Sequence, residues 1–295
     1  MKLSTIVNAL DEKFEVRTIK EDWSWAFDNL VPKARLTSGF VSSSLGLMVS
    51  QGEECSKIYT ACFPSRFVLS QIEKKGIKDV LLAVKHPFDW DGSKGFIPFT
   101  DDDLDRIKRF RINIYSLHTP LDKNRNESGL CSTAFGFAKA IGLKVHGEFG
   151  KEGDLNPRMN IGVYGSVVEQ DLGIISRSIS SRLKHEVKSW NHNPIAVKKV
   201  GIVTGGGAQK RLIVEAKALG IDTYITGVIQ PNSWPPSNQM IQEFFDISKK
   251  FNINIIGASH YLTEKYALEF SMPYFSRLGL PAEFIEDLEA WNRLD

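Results

Sequence analysis

Short apolar runs rich in β-branched residues alternate with helical segments along most of the chain, and this alternation limits the fold more than any other feature. The runs that predict strands cover residues 57–64, 79–84, 111–117, 200–204, 221–227 and 253–257. Strands separated by helices of roughly 10 to 15 residues are typical of an α/β fold with largely parallel strands. Ligands of such sheets bind at the carboxyl ends of the strands. A closing helix is predicted for residues 282–294.

The charge balance does not point to a polyanionic partner. The 295 residues include 37 Lys and Arg against 35 Asp and Glu, and the formal charge of +2 is too small to favour nucleic acid or a membrane surface. Cys55, Cys62 and Cys131 form no Cys-x-x-Cys, so we expect free thiols in a reducing compartment. Residues 1–17 contain several charges, and no apolar run approaches about 18 residues. We therefore expect a cytoplasmic protein without a membrane segment.

A histidine and a glutamate lie four residues apart directly after the last predicted strand. On a helix, His260 and Glu264 would lie on one face, one turn apart. An imidazole nitrogen and a carboxylate oxygen offered together suit Zn²⁺, Mn²⁺ or Fe²⁺. The same spacing is also typical of a plain surface hydrogen bond. The pair alone therefore leaves both interpretations open.

An internal repeat strengthens the interpretation as a metal site. The strand at 57–62, its helix and the turn at 75–79 match the strand at 199–204, its helix and the turn at 219–222. The match continues as His118-x-x-x-Asp122 against His260-x-x-x-Glu264, and His86 follows the second strand of the first copy. A duplicated supersecondary unit explains this order. If the two copies face one another, these side chains would converge in one cleft, which favours a metal site.

Several short motifs, in their order along the chain, resemble the Nif-three-like family, whose members are frequently labelled type-two GTP cyclohydrolase I homologues. The matching segments are residues 45–49, 84–87, 115–122, 204–207, 222–227 and 257–264. The resemblance implies two similar α/β lobes with mostly parallel mixed sheets flanked by helices, and a two-metal site in the cleft between them. It also implies a ring-shaped homohexamer. We expect residues 1–129 and 252–295 to form the first lobe and 130–251 the second.

The ligands that the resemblance implies are four residues, with Glu264 as the carboxylate that bridges two cations: His86, Asp122, His260 and Glu264. One departure from the family pattern matters, since Lys85 stands where a second histidine is usual. A protonated lysine cannot ligate a metal, so the resemblance here implies either one well-held ion or a second, weaker one. His118 could supply the missing imidazole or could accompany Asp122 as an outer partner. Lys85 could alternatively hold a substrate anion.

The expected function is a metal-dependent hydrolase that acts on a small nucleotide-like or phosphorylated substrate, with catalytic residues that the sequence does not identify. Gly205, Gly206 and Gly207 could present backbone N–H groups to a phosphate, although a triple glycine is also typical of a tight turn. The alternative is a non-catalytic metal-binding ring that acts as a carrier or regulatory scaffold. The aromatic cluster of Trp23, Trp25 and Phe27 is expected to be core or subunit contact.

Overall fold

The computed structural model describes residues 1–233 and 236–290, which form helices and strands in alternation. The α-helices of these residues are α1 (Leu3–Lys13), α2 (Ser38–Ser43), α3 (Arg66–Lys75), α4 (Asp101–Arg109), α5 (His118–Asp122), α6 (Thr133–Ile141), α7 (Leu172–Leu183), α8 (Lys210–Ala218), α9 (Ser237–Lys250), α10 (His260–Phe270) and α11 (Met272–Ser276). The described residues contain no helix long and apolar enough to span a bilayer.

The strands of the described residues are β1 (Gly46–Val49), β2 (Lys57–Ala61), β3 (Val80–Val84), β4 (Asp89–Asp91), β5 (Gly95–Ile97), β6 (Ile112–Ser116), β7 (Asn126–Glu127), β8 (Leu130–Cys131), β9 (Val145–Lys151), β10 (Asn160–Gln170), β11 (Lys188–Trp190), β12 (Val197–Ile202), β13 (Thr223–Thr226), β14 (Asn254–Gly257) and β15 (Ala282–Phe284). One sheet has the order β1-β6-β3-β2-β15 and the other the order β11-β14-β13-β12-β10-β9. The short pairs β4-β5 and β7-β8 form separate ribbons.

The centres of the two sheets have the same topology. In the first sheet β6, β3 and β2 are parallel neighbours, and in the second sheet β14, β13 and β12 are parallel neighbours in the same order. An antiparallel strand follows on the same side of each trio, β1 beside β6 and β11 beside β14. The fold is therefore two similar sheet-rich lobes flanked by helices, as the alternation of elements and the internal repeat predicted.

Both faces of each sheet are buried, which explains why the central strands are apolar without interruption. In β3, Leu81 and Ala83 belong to one apolar cluster, whereas Leu82 and Val84 belong to the cluster on the opposite face. In the second lobe Ile256 of β14 joins one cluster and Ile255 the other. Helices cover the faces because a parallel connection requires a crossover element.

Local signals define the helix α3 that links the two strands of the first copy. The Ser65 hydroxyl accepts a hydrogen bond from the Val68 N–H, which satisfies one of the free donors at the helix start. The helix ends at Gly76, whose φ of 67° lies in the left-handed region that glycine adopts at little cost. The chain is thereby returned to the sheet at β3, at the position that the sequence predicted.

The helix α10 is buried on almost all sides and connects the second sheet to the first. It follows β14 of the second sheet and packs against α6, where a Cβ on Gly136 would lie 2.8 Å from the Ala267 backbone nitrogen. Such a close helix contact requires glycine at this position. Because neighbours surround α10, the side chains of its first turn are held in place.

The end of the chain differs from the prediction. Residues 282–284 form the strand β15, parallel to β2 at the edge of the first sheet, and not the start of a helix; residues 291–295 lie outside the described part of the chain. The lobe boundary at residue 252 also needs correction for one strand, since β14 pairs with β13 in the second sheet. After α10 the chain returns to the first sheet. A parallel edge strand of three residues is too short for its sequence pattern to distinguish it from a helix turn.

Candidate metal centre

Three buried donor atoms converge from two distant parts of the chain. The Nε2 atoms of His86 and His260 lie 3.0 Å apart, and the Glu264 Oε2 lies 2.6 Å from the former and 3.2 Å from the latter. All three residues are 2–3% exposed. Among the described residues, they form the one group of three or more His, Cys, Asp or Glu side chains whose geometry could hold a metal ion.

His86 is delivered by the carboxyl end of β3. The backbone N–H of His86 donates to the Cys62 carbonyl oxygen at 2.9 Å, so the pairing with the neighbouring strand continues past the last residue of β3. The ring is oriented by packing, since Phe63 stacks on it with centroids 5.0 Å apart and planes 21° apart. Within the described residues its Nδ1 is buried without a hydrogen-bond partner. The ring is therefore held by packing and by the contact of its Nε2 with Glu264.

The strained backbone of Ser259 sets the direction of α10 and so positions the other two donors, His260 and Glu264. Ser259 has φ 67° and ψ 140°, a region that non-glycine residues rarely adopt and that costs of the order of 1–3 kcal/mol. This conformation turns the chain sharply from β14 into α10, so that His260 is the first residue of the helix and Glu264 follows one turn later. The predicted helical spacing of the pair is confirmed, and both side chains face the same point.

The charges around the group favour the forms that bind cations. Burial lowers the pKa of His86 well below its ordinary value, and the Lys85 ammonium acts in the same direction, which together outweigh the attraction of Glu264. Burial raises the pKa of Glu264, but the Lys85 ammonium and the two imidazoles outweigh this and hold it well below its ordinary value. The His86 imidazole is therefore neutral and the Glu264 carboxylate is ionised near neutral pH.

The buried Lys85 and the partly buried Asp122 form an ion pair beside the donor atoms. The fully buried Lys85 Nζ lies 3.0 Å from Asp122 Oδ2 and 3.6 Å from Glu264 Oε1. Burial lowers the pKa of Lys85, yet the two carboxylates more than compensate and raise it above its ordinary value. The other Asp122 oxygen accepts a hydrogen bond from the Thr133 hydroxyl at 2.7 Å. Asp122 is outside the group of three donors, and its role as a metal ligand stays a prediction.

The His118 ring lies beside that of His86, but its hydrogen-bond partner is Glu21 and not Asp122. Its centroid lies 4.6 Å from that of His86, and its Nδ1 hydrogen-bonds to Glu21. Asp122 has Lys85 and Thr133 as hydrogen-bond partners instead. The expectation that His118 accompanies Asp122 therefore needs correction, because the first residue of α5 faces the aromatic cluster of residues 23–25 while the last faces the ion pair.

The glycine loop packs directly against the donor atoms. Gly205 has φ +54°, and a Cβ there would overlap the Glu264 carboxylate and lie 3.2 Å from His260 Nε2. The Gly205 N–H donates to the Thr263 hydroxyl at 3.0 Å, so it is not directed at a ligand. By contrast, a Cβ on Gly206 would meet no atom within 4 Å. The loop therefore requires glycine at 205 because of its close approach to Glu264, a reason that neither sequence interpretation had considered.

The donor group borders a cavity of about 770 Å³ that residues of both lobes line. Aromatic side chains form much of its wall, namely Trp23, Trp25, Trp90 and Phe96, and Gly206 and Gly207 also line it. Trp23 and Trp25 thus border this cavity, whereas Phe27 packs on Phe40 as expected of core. No local pattern indicates this role, because the wall is assembled from residues far apart in the chain.

The arrangement suits a divalent cation on the chemistry of its donors. Two imidazole nitrogens and a carboxylate oxygen within 3.2 Å of one another repel through their lone pairs unless a proton or a cation lies between them. Two histidines and one carboxylate are a ligand set that Zn²⁺, Mn²⁺ and Fe²⁺ accept. The residues therefore fit a metal ion of this class.

The fold and the buried donor group together define a two-lobed α/β protein with a candidate divalent-metal site. The chain belongs to the Duf34/NIF3 (NGG1p interacting factor 3) family, whose family model matches residues 26–286. The resemblance inferred from the ordered motifs is thereby confirmed.

Its relatives match over most of their length. A protein of Pyrococcus horikoshii named GTP cyclohydrolase 1 type 2 homolog is 24% identical over 248 residues, which cover 83% of this chain and 90% of that protein. One of the same name from Archaeoglobus fulgidus is 23% identical over 288 residues, 97% of this chain and 98% of that protein. The solved structure titled protein ybgI, unknown function, superimposes with a TM-score of 0.69 at 22% identity and covers 97% of this chain and 98% of its own. This likeness shows a shared fold.

Proposed function

We propose that the protein is a metal-dependent hydrolase whose divalent ion is held by His86, His260 and Glu264 between the two lobes. The observation that carries the proposal is the convergence of three buried donor atoms at the edge of a large cavity. A catalytic metal site typically has three protein ligands and an open position toward substrate. The number of protein donors and the adjoining space both agree with that pattern.

The cavity wall supports a substrate with a planar ring, such as a nucleotide-like compound. The exposed Trp25 ring lies 5.4 Å from Trp23 and 6.1 Å from Phe96, and Trp90 lies 5.0 Å from Phe96. Flat aromatic surfaces stack on heterocycles irrespective of their hydrogen-bonding pattern. The wall therefore favours planar ligands over linear ones.

Cationic side chains on the same cavity support an anionic group on the substrate. Lys94 is exposed at the rim, and Arg211 lines the wall beside the glycine loop. The Arg211 guanidinium is fixed by the Gln209 side chain and by the carbonyl oxygens of Lys151 and Glu152. A fixed cation attracts a phosphate without further ordering of its own side chain.

The chemistry assigned to each part of the site follows from its position. A divalent cation held by the three donors would polarise a carbonyl or phosphoryl group and lower the pKa of water toward about 7. Glu152 lines the same cavity, where burial and then the Asp122 carboxylate raise its pKa. A carboxyl group with a raised pKa in a cleft is suited to accept or donate a proton in the reaction. The aromatic wall orients the substrate and excludes water from one side.

The test is turnover by metal-loaded protein. We expect protein loaded with Zn²⁺, Mn²⁺ or Fe²⁺ to hydrolyse at least one compound of a panel of GTP, other nucleotides and simple phosphoesters, and a His260→Ala variant to lose this activity. His185→Ala, which alters a histidine outside the cavity, is the matched control and should retain it. A metal-replete protein that hydrolyses nothing would favour the carrier or scaffold.

The hexamer and the cytoplasmic location stay predictions; sedimentation would test the hexamer.

A further inference from the structure

We propose that the Lys85 ammonium occupies the place of a second cation in this site, so that the protein binds a single divalent ion per chain. The inference rests on the proposed function, because it assumes that His86, His260 and Glu264 bind a metal. It assigns to Lys85 the role of a built-in counter-charge to the Asp122 and Glu264 carboxylates.

The division of the Glu264 carboxylate carries the first step. Its Oε2 faces the two imidazole nitrogens at 2.6 and 3.2 Å, whereas its Oε1 faces Lys85 Nζ at 3.6 Å. A carboxylate that bridges two cations presents one oxygen to each of them. Glu264 has this arrangement, with the donor group on one side and an ammonium on the other.

Asp122 completes the surroundings of the ammonium. Its Oδ2 lies 3.0 Å from Lys85 Nζ, and its Oδ1 is held by the Thr133 hydroxyl at 2.7 Å. The Asp122 carboxylate therefore faces the ammonium with one oxygen, and the Thr133 hydroxyl holds the other oxygen in place. The lysine itself is fully buried, and buried ammonium groups persist in proteins only when such partners compensate for lost hydration.

The charge balance then limits the number of ions. The ammonium and the two carboxylates in direct contact with it carry one net negative charge, which one divalent ion at the donor group more than neutralises. A second divalent ion between Asp122 and Glu264 would have to lie within a few ångström of the ammonium, where charge repulsion in a buried site is strong. Lys85 thus excludes the second ion both by occupying its place and by its charge.

The experiment is to count metal ions per chain by elemental analysis of folded protein equilibrated with excess Mn²⁺ or Zn²⁺ and then desalted. We expect one ion in the wild type and two in Lys85→His, which removes the ammonium and adds a donor between the same carboxylates. Lys94→His adds a histidine at the exposed rim of the same cavity and should still bind one ion. Two ions in the wild type, or one in folded Lys85→His, would overturn the inference while leaving the metal site intact. No ion in the wild type would overturn the metal site itself.

A second measurement covers the case in which Lys85→His does not fold. In Lys85→Gln the two carboxylates lose their counter-charge, so we expect the metal-free variant to melt at a lower temperature than the metal-free wild type. Excess Mn²⁺ should raise the melting temperature of Lys85→Gln more than that of the wild type. In the variant, Mn²⁺ can bind both at the donor group and between Asp122 and Glu264, where the ammonium has been removed. Equal increases in the two proteins would contradict the role of Lys85 as a substitute cation.

Discussion

The Oε2 atom of Glu264 lies 2.6 Å from the Nε2 atom of His86, although the two residues are 178 positions apart in the chain. His86 follows a strand of the first sheet, and Glu264 belongs to the helix that follows a strand of the second sheet. The donor group therefore depends on the packing of the end of β3 against the first turn of α10. Substitutions that loosen this packing should weaken metal binding even where they alter no donor.

Replacing Glu264 by alanine should abolish stoichiometric metal binding. The variant removes one of three donors. Loss of a residue that only hydrogen-bonds to a metal ligand typically lowers metal affinity about 10- to 100-fold, and we expect a larger loss of metal affinity here. Glu269→Ala, on the same helix but partly exposed, is the matched control and should retain metal. Elemental analysis of the dialysed proteins measures the effect. Unchanged metal content in Glu264→Ala would remove Glu264 from the ligand set.

Alanine at position 205 should be far more disruptive than alanine at position 206. At Gly205 the new Cβ would meet Glu264 and His260, and the left-handed backbone adds a cost of roughly 1–2 kcal/mol. At Gly206 there is open space, so we expect a change within about 0.5 kcal/mol. Urea unfolding and metal content together measure the effect. Equal stability and equal metal content of the two variants would show that Gly205 does not lie in close contact with the donor atoms.

Glu152→Gln should stabilise the metal-free protein at neutral pH but not at acid pH. The pKa of Glu152 is raised in the folded state by burial and by Asp122, so the folded state binds this proton more tightly than the unfolded state. Stability is then lost as the pH rises from about 4.5 through the raised pKa. Glutamine has no charge to bury and avoids this loss. Melting temperatures at pH 4 and pH 7.5 test the prediction, and a variant less stable than the wild type at pH 7.5 would contradict it.

Trp25→Ala should weaken the binding of ring compounds and leave metal content unchanged. The Trp25 side chain is 47% exposed, so its removal costs the fold little, but loss of one stacking partner is worth about 1–3 kcal/mol, or roughly a 5- to 150-fold weaker affinity. Titration calorimetry of metal-loaded protein with GMP measures the affinity. Ribose 5-phosphate lacks the aromatic base, and its affinity should not change. Equal losses for both ligands would show that Trp25 does not stack on the ring.

The features that were predictable from the sequence are those encoded locally or by repetition. The strand and helix of each copy follow from apolar runs, from the Ser65 cap and from the glycine at position 76. The spacing of His260 and Glu264 places both on one helical face wherever the helix lies. The duplicated unit then predicts that two sheets share one topology, which they do.

The features that were not predictable depend on tertiary packing between segments far apart in the chain. The Lys85–Asp122 pair joins residues 37 positions apart, and His118 pairs with Glu21 across 97 positions. Charge type alone does not indicate which of many possible partners becomes adjacent. The aromatic wall has the same origin, since Trp23 precedes α2 and Phe96 lies in β5. The strand at 282–284 was missed because its pairing with β2 decides its conformation, and three residues have no diagnostic periodicity.

Diffraction from a crystal soaked in Mn²⁺ or Zn²⁺, with anomalous peaks counted for each chain, tests the central claim most directly. The predicted result is one peak within about 2.0–2.2 Å of the His86 and His260 Nε2 atoms and a Glu264 oxygen, with no second peak between Asp122 and Glu264. A metal-soaked crystal without a peak at these three donors, or with its peaks elsewhere on the molecule, would contradict the account.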